Sequence, residues 1–113
     1  MATYTNKNAQ LAVTNSATAG YTAPASTTAV VTGCTVANIT TTAATLTVTW
    51  TDSSNGNAAI TVLKTASIPP NSSIVVFGGA QGKLTLETGD ALKFLAAANS
   101  TLEASITVVE ISA

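Results

Sequence analysis

Side chains that could transfer protons are few in this chain of 113 residues. It contains no histidine, a single cysteine, four lysines and five acidic residues. Without histidine the usual general base near neutral pH is missing, and Ser–His–Asp or Cys–His arrangements cannot form. A zinc site would have to combine Cys34 with carboxylates, an unusual ligand set. We therefore predict a non-enzymatic protein with no catalytic residue, no cofactor and no metal site.

Two acidic residues stand close together in the sequence ETGD, as Glu87 and Asp90. Such a pair could share a cation or act as acid and base, but acidic residues in turns mostly face solvent. We interpret both as solvated turn residues. The segment DSSNGN at 52–57 begins like a calcium-binding loop, yet Leu63 stands where the bidentate glutamate would be required. It is not interpreted as a cation site.

Aromatic residues are the remaining candidates for recognition. Trp50 lies in phase with Leu46 and Val48, which predicts a core position, although an exposed indole could stack on a sugar ring. Tyr4 lies in a polar N-terminal segment that could order on a partner, and Tyr21 lies at the entrance to a strand. We name Tyr4, Tyr21 and Trp50 as candidate contacts to a partner or glycan.

The elements that would carry these residues are β-strands. ATLTVTWT, residues 44–51, alternates apolar residues with threonines, the period-two pattern of a half-buried strand. Asn55-Gly56 follows as a hairpin turn signal, and Pro69-Pro70 marks another turn. Roughly eight strands recur at spacings of about ten residues. This predicts an all-β domain at 9–113, a single β-sandwich of about eight antiparallel strands that is jelly-roll or immunoglobulin-like.

Three segments fit that pattern less well. Residues 91–97 are predicted as a strand despite a helix-forming composition. The last strand, at 102–111, has inward residues up to Val108 and then apolar residues on the opposite face, which predicts a β-bulge or burial of both faces there. Residues 1–8 are polar and without pattern, and we expect a flexible or partner-bound N-terminal arm.

Charge and hydropathy exclude several classes of partner. Only 8% of residues are charged and the formal net charge is −1, so no basic stripe is available for nucleic acid or an anionic membrane surface. We find no apolar run long enough to span a bilayer and no apolar core of a signal peptide near the N-terminus. We therefore expect the protein to be synthesised in a host cytoplasm. The single cysteine, Cys34, lies in an apolar segment, and we expect its side chain to be buried.

Residues 21–111 contain a series of recognisable segments: YTAPASTTAVV, SIPPNSSIVVFG, GKLTLETGDALKF and SITVVEIS. In this order they resemble small β-sandwich virion structural proteins of tailed phages, which include capsid decoration (cement) proteins and small tail or adaptor proteins. The resemblance implies a homo-oligomer, with a trimer favoured, that is present in many copies in the virion. It implies the major capsid protein or other virion proteins as partners, and it carries over no catalytic residue.

Two classes of function are therefore expected. The first is a bacteriophage structural protein, a capsid decoration protein that binds and stabilises the capsid surface, or alternatively a small tail or adaptor protein. The second is a carbohydrate-binding or host-adhesion module built on the same scaffold, which would need Trp50 or a tyrosine exposed beside polar loops.

Overall fold

The computed structural model describes residues 2–78 and 82–112, and within them the chain is almost entirely β-strand. No α-helix occurs in these ranges, and one 3-10 turn covers Ser53–Asn55. The nine strands are β1 Thr3–Val13, β2 Thr18–Thr22, β3 Thr27–Asn38, β4 Ala44–Asp52, β5 Ala58–Ile68, β6 Ser73–Phe77, β7 Leu84–Leu86, β8 Ala91–Ala96 and β9 Leu102–Ser112. The predicted all-β class is confirmed, including a strand where the composition favours helix.

The strands form two antiparallel sheets. Sheet I has the order β1-β9-β3, with β6 and β7 both lying along the far side of β3, and sheet II has the order β2-β8-β4-β5. Strands from the first half of the chain pair with those from the second half in reverse order: β1 with β9, β2 with β8, β3 with β6 and β7, and β4 with β5. This is one long hairpin rolled into a sandwich, the jelly-roll topology. Because β6 and β7 share one edge, nine strands fill the eight positions predicted.

The core lies between the two sheets and is built from alternate residues of each strand. On β9 the inward side chains are Leu102, Ala104, Ile106 and Val108, all buried. On β8 Phe94 is the largest fully buried side chain of the molecule. Full burial of a side chain of this class contributes about 1.5–3 kcal/mol. The side chains that alternate with period two in the sequence are therefore those that fill the space between the two sheets.

A turn forms after β4 where the dipeptide Asn55-Gly56 predicts one, but Asn55 ends the 3-10 turn and the positive φ angles lie at Gly56 and Asn57. Gly56 adopts a left-handed conformation with φ of 65°, and β4 and β5 pair as an antiparallel hairpin. The Asp52 carboxylate accepts hydrogen bonds from the backbone N–H of Ser54 at 3.1 Å and from its hydroxyl at 2.7 Å. Both bonds are accepted by Oδ1, and they stabilise the turn itself.

The bulge expected near Val108 lies on the neighbouring strand instead. Val31 pairs with Val108 and Gly33 with Thr107, so Thr32 is the extra residue, on β3. The inward alternation of β9 continues without a change of phase to Glu110, which is buried. The sequence suggested a change because Val109 and Ile111 place apolar residues on the opposite face of β9; both are half-buried, so this end of the strand is partly covered on both faces.

The N-terminal segment differs from the expected arm. Residues 3–8 pair with β9 without interruption, from Thr3 opposite Ser112 to Asn8 opposite Thr107. The expected boundary after residue 8 therefore falls inside β1. These side chains are all exposed, so the strand depends on backbone hydrogen bonds and leaves no apolar alternation in the sequence. Binding of this segment to a partner stays a prediction.

Candidate functional site

The carboxylate of Glu110 is held between the two sheets. Glu110 lies on the inward face of β9 and is 8% exposed. The Tyr21 hydroxyl, from β2 in the opposite sheet, donates a hydrogen bond to Oε2 at 2.5 Å. Lys7 Nζ, from the edge strand β1, lies 3.3 Å from Oε1. One buried carboxylate therefore connects three strands and both sheets.

These contacts set the ionisation of the group. The hydrogen bond from Tyr21 lowers the pKa of Glu110, burial opposes the shift, and Lys7 adds to the lowering. Burial and the bond to an anion together raise the pKa of the Tyr21 phenol well above its ordinary value. A carboxylate with both oxygens engaged is not placed to accept a proton from a substrate. The contacts of this cluster therefore hold the two sheets together.

Replacing Tyr21 by phenylalanine is expected to raise the pKa of Glu110 toward its ordinary value of 4.5, because the main cause of the lowering is removed. In the native protein the lowered pKa contributes stability above the unfolded-state pKa, which is lost as the pH falls through the folded-state value. The pH dependence of unfolding below pH 4.5 should therefore become shallower in Tyr21→Phe. NMR titration of Glu110 measures the first effect, and urea unfolding across this range measures the second.

The matched control is Tyr4→Phe, since Tyr4 is 71% exposed and its hydroxyl is not bonded to Glu110. This variant should leave the Glu110 titration unchanged. An unshifted Glu110 in Tyr21→Phe would show that the phenol does not set the charge of this carboxylate.

Neither Glu110 nor Lys7 was singled out from the sequence. The signal that could have found Glu110 is strict alternation, since it follows Val108 by two residues on the same face of β9. Lys7 could not have been found in this way, because its ion pair joins two residues far apart in the chain.

The three aromatic candidates occupy separate places. Tyr4 lies on β1 opposite Ile111, with its side chain 71% exposed. Tyr21 is engaged by Glu110, and Trp50 packs half-buried against the core in sheet II. Its indole Nε1 is buried and without a hydrogen-bond acceptor among the described residues. The structure does not bring the three side chains into one site, and of the three only Tyr4 presents a largely exposed ring.

The turn ETGD corrects one sequence-based interpretation. Asp90 was expected to be solvated, but it is 2% exposed, whereas Glu87 is exposed as expected. Asp90 Oδ1 accepts from Ser53 N–H at 2.9 Å and from the Ser53 hydroxyl at 3.0 Å, and Oδ2 accepts from Glu87 N–H at 3.0 Å. Backbone donors of two turns converge on this carboxylate because buried N–H groups need acceptors. Asp90 thus fastens the turn before β8 to the turn after β4.

The same contacts explain the charge state of Asp90. Burial alone would raise its pKa, but the hydrogen bonds from Ser53 and Glu87 outweigh burial and lower the pKa. The Trp50 indole N–H faces this carboxylate and adds to the lowering, although its geometry does not meet that of a hydrogen bond. Asp90 is therefore an ionised structural acceptor.

Replacing Asp90 by asparagine should lower the free energy of unfolding at neutral pH by about 1–3 kcal/mol, because the new amide must turn its N–H₂ toward either Ser53 or Glu87 and leave a donor without an acceptor. In the native protein the contribution of Asp90 is complete above its ordinary pKa of 3.8 and is lost as the pH falls through the lowered folded-state value. The difference in free energy of unfolding between the native protein and Asp90→Asn should therefore become smaller as the pH is lowered. Urea unfolding at several pH values measures this difference. Glu87→Gln is the control, because the Glu87 side chain is exposed. Equal stability of Asp90→Asn and the native protein at neutral pH would contradict the prediction.

The outer face of sheet I carries a shallow groove of about 540 Å³. It runs across β1, β9 and β3 and is lined mainly by small or uncharged side chains, among them Gln10, Ala12, Thr35, Ala37 and Ser105. Glu103 is its one charged group. The groove therefore offers backbone and hydroxyl contacts and no pair of groups for proton transfer.

The thiol of Cys34 is buried on β3, and burial raises its pKa to about 12, so the reactive thiolate is not populated at neutral pH. Within residues 2–78 and 82–112 there is no group of three or more cysteine and acidic side chains placed to hold a metal ion. The same ranges contain no helix with the length and hydropathy to cross a membrane.

Comparison with known proteins gives structural neighbours only. No protein-family model and no curated protein matches the chain. A protein of Bacillus endospore appendages, which form a family of disulfide-linked pili, superposes with a TM-score of 0.55 at 15% identity, over 98% of this chain and 88% of that one. A protein of the T13 IBDV viral particle superposes with a TM-score of 0.52 at 10% identity, over 96% of this chain but 31% of that one. At these identities the likeness shows a shared fold.

Proposed function

We propose that this protein is a non-enzymatic structural subunit of a tailed-phage particle, a capsid decoration protein that binds and stabilises the capsid surface as a homo-oligomer. The observation that carries the proposal is that the chain is one jelly roll, similar over nearly its whole length to proteins of a pilus and of a virus particle. Both neighbours come from assemblies in which subunits pack against one another.

The surface supports a packing role. Charged residues make up 8% of the chain, and the exposed faces carry mainly threonine, serine, asparagine and alanine. Several large apolar side chains are also exposed, two of them on β5: Tyr4, Ile39, Ile60, Val62 and Val75. Removing such a surface from water costs less than removing a charged one, because few ions must be desolvated. Packing against neighbouring subunits is therefore energetically accessible.

The described polar clusters support the same role. The carboxylates of Glu110 and Asp90 are used to join strands and turns, with their oxygens occupied by partners within the chain. A small tail or adaptor protein would use the same surface and stays the alternative within this class. A glycan-binding role finds less support, because its main aromatic candidate, Trp50, is packed against the core and leaves Tyr4 as the exposed ring.

The proposal is tested on purified phage particles from the host that carries the gene. We expect quantitative mass spectrometry to find this chain in a fixed, high ratio to the major capsid protein, and cryo-electron microscopy to find it at symmetric positions on the shell. Capsids lacking it should lose heat stability and recover it when the purified protein is added back. Absence from the particles would refute the virion role, and a location confined to the tail would select the adaptor alternative.

A further inference from the structure

The outer edge of β1 is long and regular. β1 pairs with β9 at every position from Thr3 to Val13, which is 11 residues without a register shift. No strand of the described chain pairs with its other side. Alternate N–H and C=O groups along that side are therefore available to hydrogen-bond another strand.

The other sheet edges are interrupted. β2 has five residues and a register shift between Ala19 and Tyr21. β5 has two register shifts, and Thr65 within it adopts a φ of 45°. The edge opposite β1 in sheet I is divided between the short strands β6 and β7. Bulges and short strands are the features by which proteins prevent pairing at an edge, and β1 lacks them.

The charge on β1 is compensated within the subunit. Lys7 is its one charged residue, and Lys7 Nζ is drawn toward the buried carboxylate of Glu110 at 3.3 Å. The exposed residues whose side chains point to the outer face of sheet I include Asn6, Asn8 and Gln10, all uncharged. A lysine at an edge usually opposes pairing; the Lys7 side chain is 56% exposed, but its ammonium group is paired with the Glu110 carboxylate of the same subunit.

We infer that β1 is the contact between copies of this chain, pairing antiparallel with β1 of a second copy about a two-fold axis. The inference rests on the proposed function, because a self-assembling subunit is what makes a second copy the partner of the free β1 edge. A two-fold axis brings together two strands of equal length and regularity, because both copies use the same surface. The resulting assembly is a closed dimer with no free β1 edge. The two copies of sheet I then form one continuous sheet. The contact predicts a dimer in solution, where the resemblance implied a trimer.

The register follows from full overlap of the two strands. Eleven paired residues centre the contact on Asn8, which then faces Asn8 of the second copy. Asn6 faces Gln10 of the second copy, and Lys7 faces Ala9, so the two ammonium groups do not lie directly opposite one another. Tyr4 faces Ala12 of the second copy, so the five side chains on the outer face of β1 are all uncharged and the central three are amides.

The test uses complementary charges. In the full chain, Asn6, Asn8 and Gln10 are changed together to glutamate in one variant and to lysine in another. Like charges directly opposite across an antiparallel pair are destabilising, so each variant alone should dissociate more readily, with a dimer dissociation constant raised about tenfold or more. Mixing the two variants should restore the dimer, since each glutamate then faces a lysine. Analytical ultracentrifugation measures all three samples, and circular dichroism verifies their folding.

A matched control places the same charges on the bulged edge. Ala59, Thr61 and Ser67 on β5 are exposed, and their replacement by glutamate should leave the dissociation constant unchanged. A monomeric native chain, or a dimer unaffected by the β1 substitutions, would overturn the inference. A chain that dimerises through β1 but is absent from phage particles would refute the virion role alone. A monomer found in the particles would refute the edge contact alone.

Discussion

Phe94→Ala is expected to lower the free energy of unfolding by about 3–5 kcal/mol, the usual cost of removing a buried aromatic ring. Phe94 is fully buried on β8, and its ring lies between the sheets beside Gly20 and close to Ile106. Both faces of the sandwich lose contacts when the ring is removed, and the surrounding strands cannot close the cavity without shifting their register. Against a total stability of about 5–15 kcal/mol for a domain, this loss would leave the fold marginal.

Urea unfolding followed by Trp50 fluorescence measures this change, since Trp50 packs against the same core. Ile60→Ala is the matched control, because Ile60 is 56% exposed and should change the stability by no more than about 0.5 kcal/mol. A loss below about 1 kcal/mol in Phe94→Ala would mean that the ring is not the central contact between the sheets.

Gly20→Ala is the second large effect expected. A β-carbon at Gly20 would lie 2.6 Å from Cε1 of Phe94 and 2.8 Å from Cδ1 of Ile106. Both neighbours are fully buried and cannot move into solvent, so the added methyl group should cost about 1–3 kcal/mol by overpacking. Gly20 sits where β2 changes register against β8, and its missing side chain makes room for the Phe94 ring. The unfolding free energy from urea denaturation again gives the measurement.

Gly33→Ala provides the control for this substitution. A β-carbon there would meet only Thr107 Cβ, at 3.9 Å, which is ordinary contact, so little change is expected. The double variant Gly20→Ala with Phe94→Leu should cost less than the sum of the two single changes, because the smaller side chain vacates the space that the methyl group needs. Additive losses would show that the penalty at Gly20 does not arise from the ring.

The buried carboxylates of Glu110 and Asp90 should make the stability of an assembly depend on pH. Glu110 and Lys7 secure the first half of β1, where the side chains of residues 3–8 are exposed, and Asp90 secures two turns at one end of the sandwich. Both carboxylates are held ionised by hydrogen bonds, so these attachments weaken together as the pH falls below their ordinary values. An assembly built through β1 should therefore be less stable in acid than near neutral pH.

The sequence by itself determined the features that depend on near neighbours. Thr45 to Trp50 alternate because a strand turns successive side chains to opposite faces. Asn55-Gly56 predicts the turn because glycine tolerates the positive φ that Gly56 adopts. The absence of histidine limits proton-transfer chemistry whatever the fold. These conclusions need only the identity of residues a few positions apart, and the structure confirms the strands and the hairpin.

Only the tertiary structure decided which strands meet and which polar groups are enclosed. Tyr21 and Glu110 are 89 residues apart in the chain, and they meet because β2 and β9 lie in facing sheets. Residues 3–8 form a strand because β9 supplies backbone partners, which no local pattern reveals. Asp90 is buried because Ser53, from another turn, brings its donors to the carboxylate. Long-range pairing is set by how two sheets pack around one core, and that packing depends on the whole chain at once.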